Sequence, residues 1–209
     1  MQSRDPPLID CHAGRNVGVM NLLAVIVVAA ALLLPMDNRA GGQGRAPPVP
    51  EAVGEYLVKV GFIYNFGKLT TWPQPRHTDA PGPFLVCVMG VDPFKADLDA
   101  IDGKTVGART VIVRRDVEAA QAAQCHVAFI ALSEAPRLPQ HLAALGGRPV
   151  LTVSDMPNFA RSGGIIELKT VESRVRFAIN LQSARRSGLN FSSKLLQLAE
   201  IVGPTAKAE

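Results

Sequence analysis

The sequence predicts an α/β fold, a three-layer sandwich with a mostly parallel central sheet and helices on both faces. Two observations lead to this prediction. Four short apolar runs are typical of strands buried on both sides, and segments with helical spacing separate them. Two further strand-like segments then follow each other too closely for a crossover helix, so we expect a C-terminal antiparallel hairpin at the sheet edge.

The predicted domain begins with a long helix over residues 51–72, because apolar residues recur there every three or four positions. Trp72-Pro73 ends the run. The strands of the parallel sheet are predicted at 84–89, 110–113, 126–132 and 150–153. Helical spacing at 93–98, 117–123 and 138–145 supplies the connections between them.

The C-terminal part breaks this alternation. The hairpin strands are predicted at 164–169 and 174–180, and a closing helix is predicted over 192–202. Ser192 or Ser193 is expected to cap that helix. Its apolar residues are expected to face the core, namely Leu195, Leu196, Leu198 and Ile201.

The first fifty residues have a different composition from the rest. Residues 17–34 are apolar except for Asn21, follow Arg15 and end at Pro35, which is the layout of a signal peptide over residues 1–42. The alternative is an uncleaved anchor, since about 18 apolar residues can just span a bilayer. Residues 43–50 are predicted to be a flexible linker, 51–203 the folded domain and 204–209 a tail. Both alternatives place the domain outside the cytoplasm.

Composition and charge exclude several classes of protein. The 209 residues are 47% hydrophobic, which is too apolar for a disordered chain. The net charge of +4 is too small to indicate a nucleic-acid partner, and aromatic residues make up only 5% of the chain, which leaves little for stacking bases. No nucleic acid and no cofactor is expected.

Cysteine usage predicts one disulfide bond. Cys11 precedes the apolar segment, so a processed chain keeps Cys87 and Cys125, and a pair of cysteines outside the cytoplasm usually bonds. The sharper alternative is that Cys125 and His126 form a nucleophile and base, or metal ligands. Adjacent residues on a strand point to opposite faces, which argues against both. Neither a catalytic nor a metal site is therefore predicted.

The second strand of the hairpin carries the candidate binding residues. Arg174, Arg176 and Asn180 share one face of this strand, whereas Val175, Phe177 and Ile179 share the other. One hypothesis is that the polar face recognises an acidic partner surface or a ligand carboxylate. The alternative is a solvated outer face whose charges discourage aggregation.

Several short motifs, in their order along the chain, resemble the YfiR family of periplasmic regulatory proteins. The likeness runs from about Glu51 to Val202, and the motifs include Thr71-Trp-Pro73, Val88-Met-Gly90, Cys125-His126, Leu151-Thr-Val-Ser-Asp155, Arg174-Val-Arg-Phe-Ala-Ile-Asn180 and Ser192-Ser-Lys-Leu-Leu196.

The resemblance implies a non-enzymatic periplasmic regulator. Such a protein would bind and repress an inner-membrane signalling protein such as a diguanylate cyclase, and capture by an outer-membrane lipoprotein or a redox change would release it. That activity would link the state of the envelope to cyclic di-GMP and biofilm formation. Some members carry a second disulfide, but this chain has no cysteine after Cys125. The alternative function is a periplasmic small-molecule binding protein of a sensor or transport system. Whether the protein forms a homodimer stays open.

Overall fold

The computed structural model describes residues 51–76 and 81–203. The predicted signal peptide, linker and tail, residues 1–42, 43–50 and 204–209, lie outside the described residues, so their boundaries stay predictions. Within the described ranges, every helix is too short or too polar to cross a membrane.

Short helices and strands alternate along the chain. The helices are α1 (Glu51–Leu69), α2 (Ala119–Ala122), α3 (Leu138–Leu145), α4 (Leu181–Arg186) and α5 (Ser193–Leu198), and 3₁₀ turns span Lys95–Ile101 and Leu132–Arg137. The strands are β1 (Thr70–Thr71), β2 (Phe84–Met89), β3 (Thr105–Val106), β4 (Arg109–Arg114), β5 (Val127–Ile130), β6 (Leu151–Ser154), β7 (Ile166–Val171), β8 (Arg174–Asn180), β9 (Asn190–Phe191) and β10 (Glu200–Val202).

The central sheet has the strand order β10-β8-β7-β6-β5-β2-β4-β3. Five neighbouring strands, β4, β2, β5, β6 and β7, run parallel, so their carboxyl ends meet at one edge of the sheet. The predicted α/β fold with a mostly parallel sheet is confirmed. After β2 the chain first adds β4 on one side and then β5 on the other, so the strand order reverses between β2 and β5.

Helices cover both faces of this sheet. On one face, Phe62 and Phe66 of α1 pack against Phe177 of β8 at ring-centroid distances of 5.6 and 5.0 Å. On the other face, Cys87 and Ile130 belong to a second apolar cluster to which α2 and α3 contribute. The alternation of side chains along each strand therefore buries two separate apolar layers.

The hairpin forms as predicted, but only the first part of β8 lies at the sheet edge. β7 and β8 pair antiparallel across a two-residue turn at Glu172 and Ser173, both with positive φ. The three residues of β10 pair in parallel with Ala178 to Asn180 and form the outer strand there. A helix continued to residue 202 would have left this end of β8 with unpaired backbone groups, and pairing with β10 satisfies them.

The predicted closing helix is therefore too long. It begins where expected, since the Ser192 hydroxyl accepts a hydrogen bond from the Leu195 backbone N–H at 3.3 Å, but it ends at Leu198. Leu195 is buried as predicted. The predicted inward positions of Leu198 and Ile201 are wrong, because these side chains are 70% and 50% exposed.

The predicted disulfide is present near the amino-terminal edge of the sheet. Cys87 of β2 is bonded to Cys125, just before β5, with the Cα atoms 6.1 Å apart. Adjacent His126 faces the opposite layer, where its ring stacks on Phe84 at 4.5 Å and meets Trp72 edge-on at 5.5 Å. Cys125 and His126 thus point to different faces, which excludes a nucleophile and base made from this pair.

Burial, together with smaller contributions from the cationic Arg109 and Arg76, lowers the pKa of His126 to about 3. The neutral ring accepts a hydrogen bond from the Leu85 backbone N–H at Nδ1, 3.0 Å away. His126 is therefore a packed, uncharged part of the core.

Candidate functional site

Arg174 and Arg176, the two predicted binding arginines, are exposed on β8. They lie on the face of the strand away from α1, since Phe177, on the other face, packs against the aromatic residues of that helix. Within the described ranges, neither arginine pairs with a carboxylate. Both guanidinium groups are thus available to an outside anion.

Two further cations lie near these arginines. Lys169 of β7 is directly opposite Arg176 in the antiparallel register. The Nζ atom of Lys169 is 2.7 Å from Oε2 of Glu200, and Nη2 of Arg161 is 3.9 Å from Oε1 of the same carboxylate. The hydrogen bond from Lys169 lowers the pKa of Glu200, so this carboxylate stays charged.

We call this set, Arg161, Lys169, Arg174 and Arg176 with Glu200, the basic hairpin face. Its four cations meet one carboxylate, so a positive excess remains. Lys169 lay in a strand predicted from sequence, and a two-residue turn at 172–173 would have placed it opposite Arg176. Arg161 and Glu200 could not be found in that way, because they reach the site from a loop and from the unpredicted strand β10.

Asn180, the third predicted binding residue, is not part of a surface. Its side chain is fully buried at 0% exposure. Its Nδ2 atom donates to the Ala160 carbonyl at 2.7 Å, and its Oδ1 atom accepts from the Ser183 backbone N–H at 3.0 Å, which caps α4. Strand alternation correctly gave its face, but β10 pairs beside it and covers that end. The prediction that Asn180 contacts a partner is wrong.

An apolar groove adjoins the hairpin tip. It has a volume of about 690 Å³ and lies between the first turns of α1 and the hairpin, with Val58, Arg174 and Val175 among its lining residues. The Thr170 hydroxyl donates to Oε1 of Glu55 at 2.8 Å and fixes the helix to the hairpin. Because Arg174 contributes to both features, the groove and the basic hairpin face form one continuous surface. This surface can accept an acidic group beside an apolar one.

A buried acid–histidine pair lies elsewhere, and the sequence analysis missed it. Nε2 of His141 in α3 is 2.6 Å from Oε2 of Glu134, and the Arg137 guanidinium donates to Oε1 at 2.8 Å. Burial alone would raise the pKa of Glu134, but hydrogen bonds from His141 and Arg137 hold it below its usual value. A carboxylate satisfied on both oxygens is a poor proton acceptor. The pair connects the turn after β5 to α3.

The described residues contain no cluster of three or more histidine, cysteine, aspartate or glutamate side chains that could hold a metal ion. The surface described above offers hydrogen-bond donors and apolar contact.

The chain is similar to known proteins in two comparisons. Residues 56–200 match the model of a domain family described as YfiR/HmsC-like. A crystal structure of a conserved domain protein from Vibrio cholerae O1 biovar eltor aligns with a TM-score of 0.47 at 10% sequence identity. The alignment covers 70% of this chain and 59% of that chain, so the match spans about three-fifths of the Vibrio protein.

Proposed function

We propose that this chain, which belongs to the YfiR/HmsC-like family, represses an inner-membrane signalling protein by binding its periplasmic domain. At the family level, membership supports a periplasmic regulator of cyclic di-GMP signalling that acts through protein partners. The partner that we propose is a diguanylate cyclase. An outer-membrane lipoprotein that captures the regulator would release the cyclase.

The observation that carries this proposal is the exposed basic hairpin face. Arg174 and Arg176 project from a paired strand, so little backbone entropy is lost when they bind. Arginine can form two parallel hydrogen bonds to one carboxylate, and it is enriched among the residues that dominate interface energies. The partner surface should therefore carry aspartate or glutamate side chains.

The adjoining groove adds an apolar component to recognition. Val58 of α1 is about half exposed and Val175 of β8 is partly buried, and both line the groove. An apolar side chain of the partner would cover them beside Arg174. The combination of a charged and an apolar contact favours one orientation of the partner.

The disulfide is proposed to be a structural clamp. Cys87 and Cys125 are both buried, at 0% and 1% exposure, within the apolar layer beneath α2 and α3. A thiolate needs access to attack a disulfide sulfur, and this bond offers little. We therefore propose that partner binding, and not the redox state of this bond, regulates the protein.

The test is a binding titration between the mature protein and purified periplasmic domains of inner-membrane diguanylate cyclases. The double variant Arg174→Glu/Arg176→Glu should lose at least about tenfold in affinity, because two attractions become repulsions. Arg114→Glu is the matched control, since this exposed arginine of β4 lies at the other end of the sheet. Affinity should also fall as salt increases.

In cells, the double variant should raise cyclic di-GMP, and Arg114→Glu should not. The proposal fails if no cyclase domain binds the wild-type protein, or if the hairpin and control variants weaken binding equally.

A further inference from the structure

A crevice that shares no lining residue with the basic hairpin face or its groove lies at the carboxyl ends of the parallel strands. It is formed by the segments that follow β2 and β5, between which the strand order reverses. In open α/β sheets, small ligands bind at such reversal points. The Val91 backbone N–H donates to the Ser133 hydroxyl at 2.9 Å and ties the two segments together.

Two cavities adjoin this contact, and both have Val91 and Ser133 in their walls. We call them together the strand-end crevice. The first cavity, of about 570 Å³, is mainly apolar, with Leu132, Pro93 and Pro157 in its walls and Tyr56 and Asp155 also lining it. Its size is typical of small-molecule sites. Val91 and Leu132 are 74% and 64% exposed, which places two large apolar side chains in water without a described partner.

Asp155 of the first cavity belongs to a group of side chains with a negative excess. Lys59 is 4% exposed, and its Nζ atom is 2.8 Å from Oδ2 of Asp155 and 2.7 Å from Oε1 of Glu55. Two carboxylates therefore share one cation. Burial disfavours the charge on Lys59, but hydrogen bonds to Asp155 and Glu55 raise its pKa, so the cation is retained. One negative charge remains uncompensated within this group.

The second cavity, of about 470 Å³, also has an excess of carboxylates over cations. Asp92, Asp116 and Glu134 line it together with Arg115. The Arg115 guanidinium is already bound to Asp92 and to Asp99 outside the cavity, each at 2.7 Å. Glu134 is paired with Arg137 and His141, so the uncompensated charge at the second cavity comes from Asp92, Asp99 and Asp116 around Arg115. Each cavity thus adjoins more carboxylates than cations, in a chain whose net charge is +4.

From this combination we propose that the strand-end crevice binds a small amphipathic amine. The apolar body of the ligand would lie against Val91 and Leu132, and its ammonium group would point toward Asp155. Burying the body stabilises the complex by removing apolar surface from water, and the negative excess selects the cation over a neutral or anionic analogue. This inference does not depend on the proposed repression of a cyclase.

Three probes that share one apolar body test the proposal: phenethylamine, 2-phenylethanol and 3-phenylpropionate. At about 10 mM, phenethylamine should raise the melting temperature by mass action and shift the backbone amide resonances of Val91, Leu132 and Ser133. 2-Phenylethanol should have a weaker effect, and 3-phenylpropionate should have none. Equal shifts with all three probes, or no shift with phenethylamine, would overturn the proposal.

A pair of matched variants locates the site. Leu132→Lys places an ammonium group at the mouth of the crevice and should weaken phenethylamine binding by at least about tenfold. Because Leu132 is already exposed, the fold should be retained. Leu198→Lys makes the same change at a position in α5 that is 70% exposed, and binding should be unaltered. An unchanged affinity in Leu132→Lys contradicts the assignment. Cyclase binding by Leu132→Lys is measured in parallel. If the variant binds the cyclase normally but also binds phenethylamine as tightly as the wild type, the crevice assignment fails and the proposed function does not.

Discussion

The two ends of the parallel strands differ in how tightly their side chains are packed. At the amino-terminal edge, Trp72, Phe84 and His126 pack ring against ring, and the disulfide joins β2 to the start of β5. At the carboxyl-terminal edge, the segments after the strands enclose cavities and leave Val91 and Leu132 in water. One sheet thus has a closed end and an open end.

This difference separates stability from recognition. Side chains at the closed end have their contacts inside the molecule, so changes there should mainly lower the free energy of unfolding. Side chains at the open end and on the basic hairpin face are exposed and can contact a ligand or partner, so changes there should mainly alter binding. Four measurements test this separation, in order of the expected effect on stability.

Removing the disulfide should have the largest effect. The bond closes a loop between residues 38 apart, and the chain-entropy model gives about 4 kcal/mol for such a loop. Cys87→Ala/Cys125→Ala should lose a large part of that free energy in chemical denaturation, while cyclase binding under native conditions is kept. Equal free energies of unfolding in the wild type and the double variant would contradict this.

Gly90→Ala is an exception to this separation. The residue lies at the open end, but we expect its substitution to lower the free energy of unfolding substantially. Gly90 has φ of +78°, and a Cβ there would lie 2.5 Å from Oγ of Ser133 and 2.7 Å from Cγ of Glu134. We expect a loss of about 3 kcal/mol from backbone strain together with displacement of these side chains.

Gly103→Ala is the matched control for that change. Gly103 has a similar φ of +74° with no atom within 4 Å of its Cβ position, so only about 1 kcal/mol of backbone strain is expected. Equal losses of unfolding free energy in the two variants would show that the contact with Ser133 and Glu134 does not matter.

Acid should weaken the closed end through His126. Its pKa is about 3 in the fold against an ordinary value of 6.5, so the unfolded chain binds the proton more tightly. This contribution to stability is full above pH 6.5 and is lost as pH falls toward 3. By pH 4.5 the loss should reach about 2.5 kcal/mol.

Denaturation curves between pH 7 and 4.5 measure this loss, and His126→Asn should show a shallower dependence on pH. If the wild type and His126→Asn have the same slope, another group is responsible.

The smallest effect on stability is expected from the basic hairpin face. Arg174→Ala/Arg176→Ala should change the free energy of unfolding by less than about 0.5 kcal/mol, since both side chains are exposed and unpaired within the described ranges. Thermal denaturation is the measurement. A large loss would mean that these arginines support the fold, and it would weaken their assignment to a partner.

The sequence predicted the structure correctly where features within a short segment determine that structure. Apolar spacing predicted α1, the short connection predicted the hairpin, and the cysteine count with the expected compartment predicted the disulfide. The sequence pattern failed to predict the structure of a segment that depends on contact with a distant part of the chain. Three residues of β10 are too few for any periodicity to distinguish strand from helix, and their pairing with β8 is a tertiary contact.

The candidate site could be predicted only in part, for the same reason. Alternation along β8 gave the face of Arg174, Arg176 and Asn180, but not which of them another strand would cover. The crevice depends on loops after strands that are far apart in sequence. Its carboxylates, such as Asp155 beside Lys59, 96 residues apart, show no local signal at all.

The short length of β10 has a consequence for what the sheet edge can pair with. Its three residues pair with Ala178, Ile179 and Asn180, so the backbone of β8 from Arg174 to Phe177 has no outer strand among the described residues. An open strand edge can pair with a strand of another molecule, and charged side chains beside it discourage indiscriminate pairing. Arg174 and Arg176 thus lie on the part of this strand whose backbone is still open to another chain.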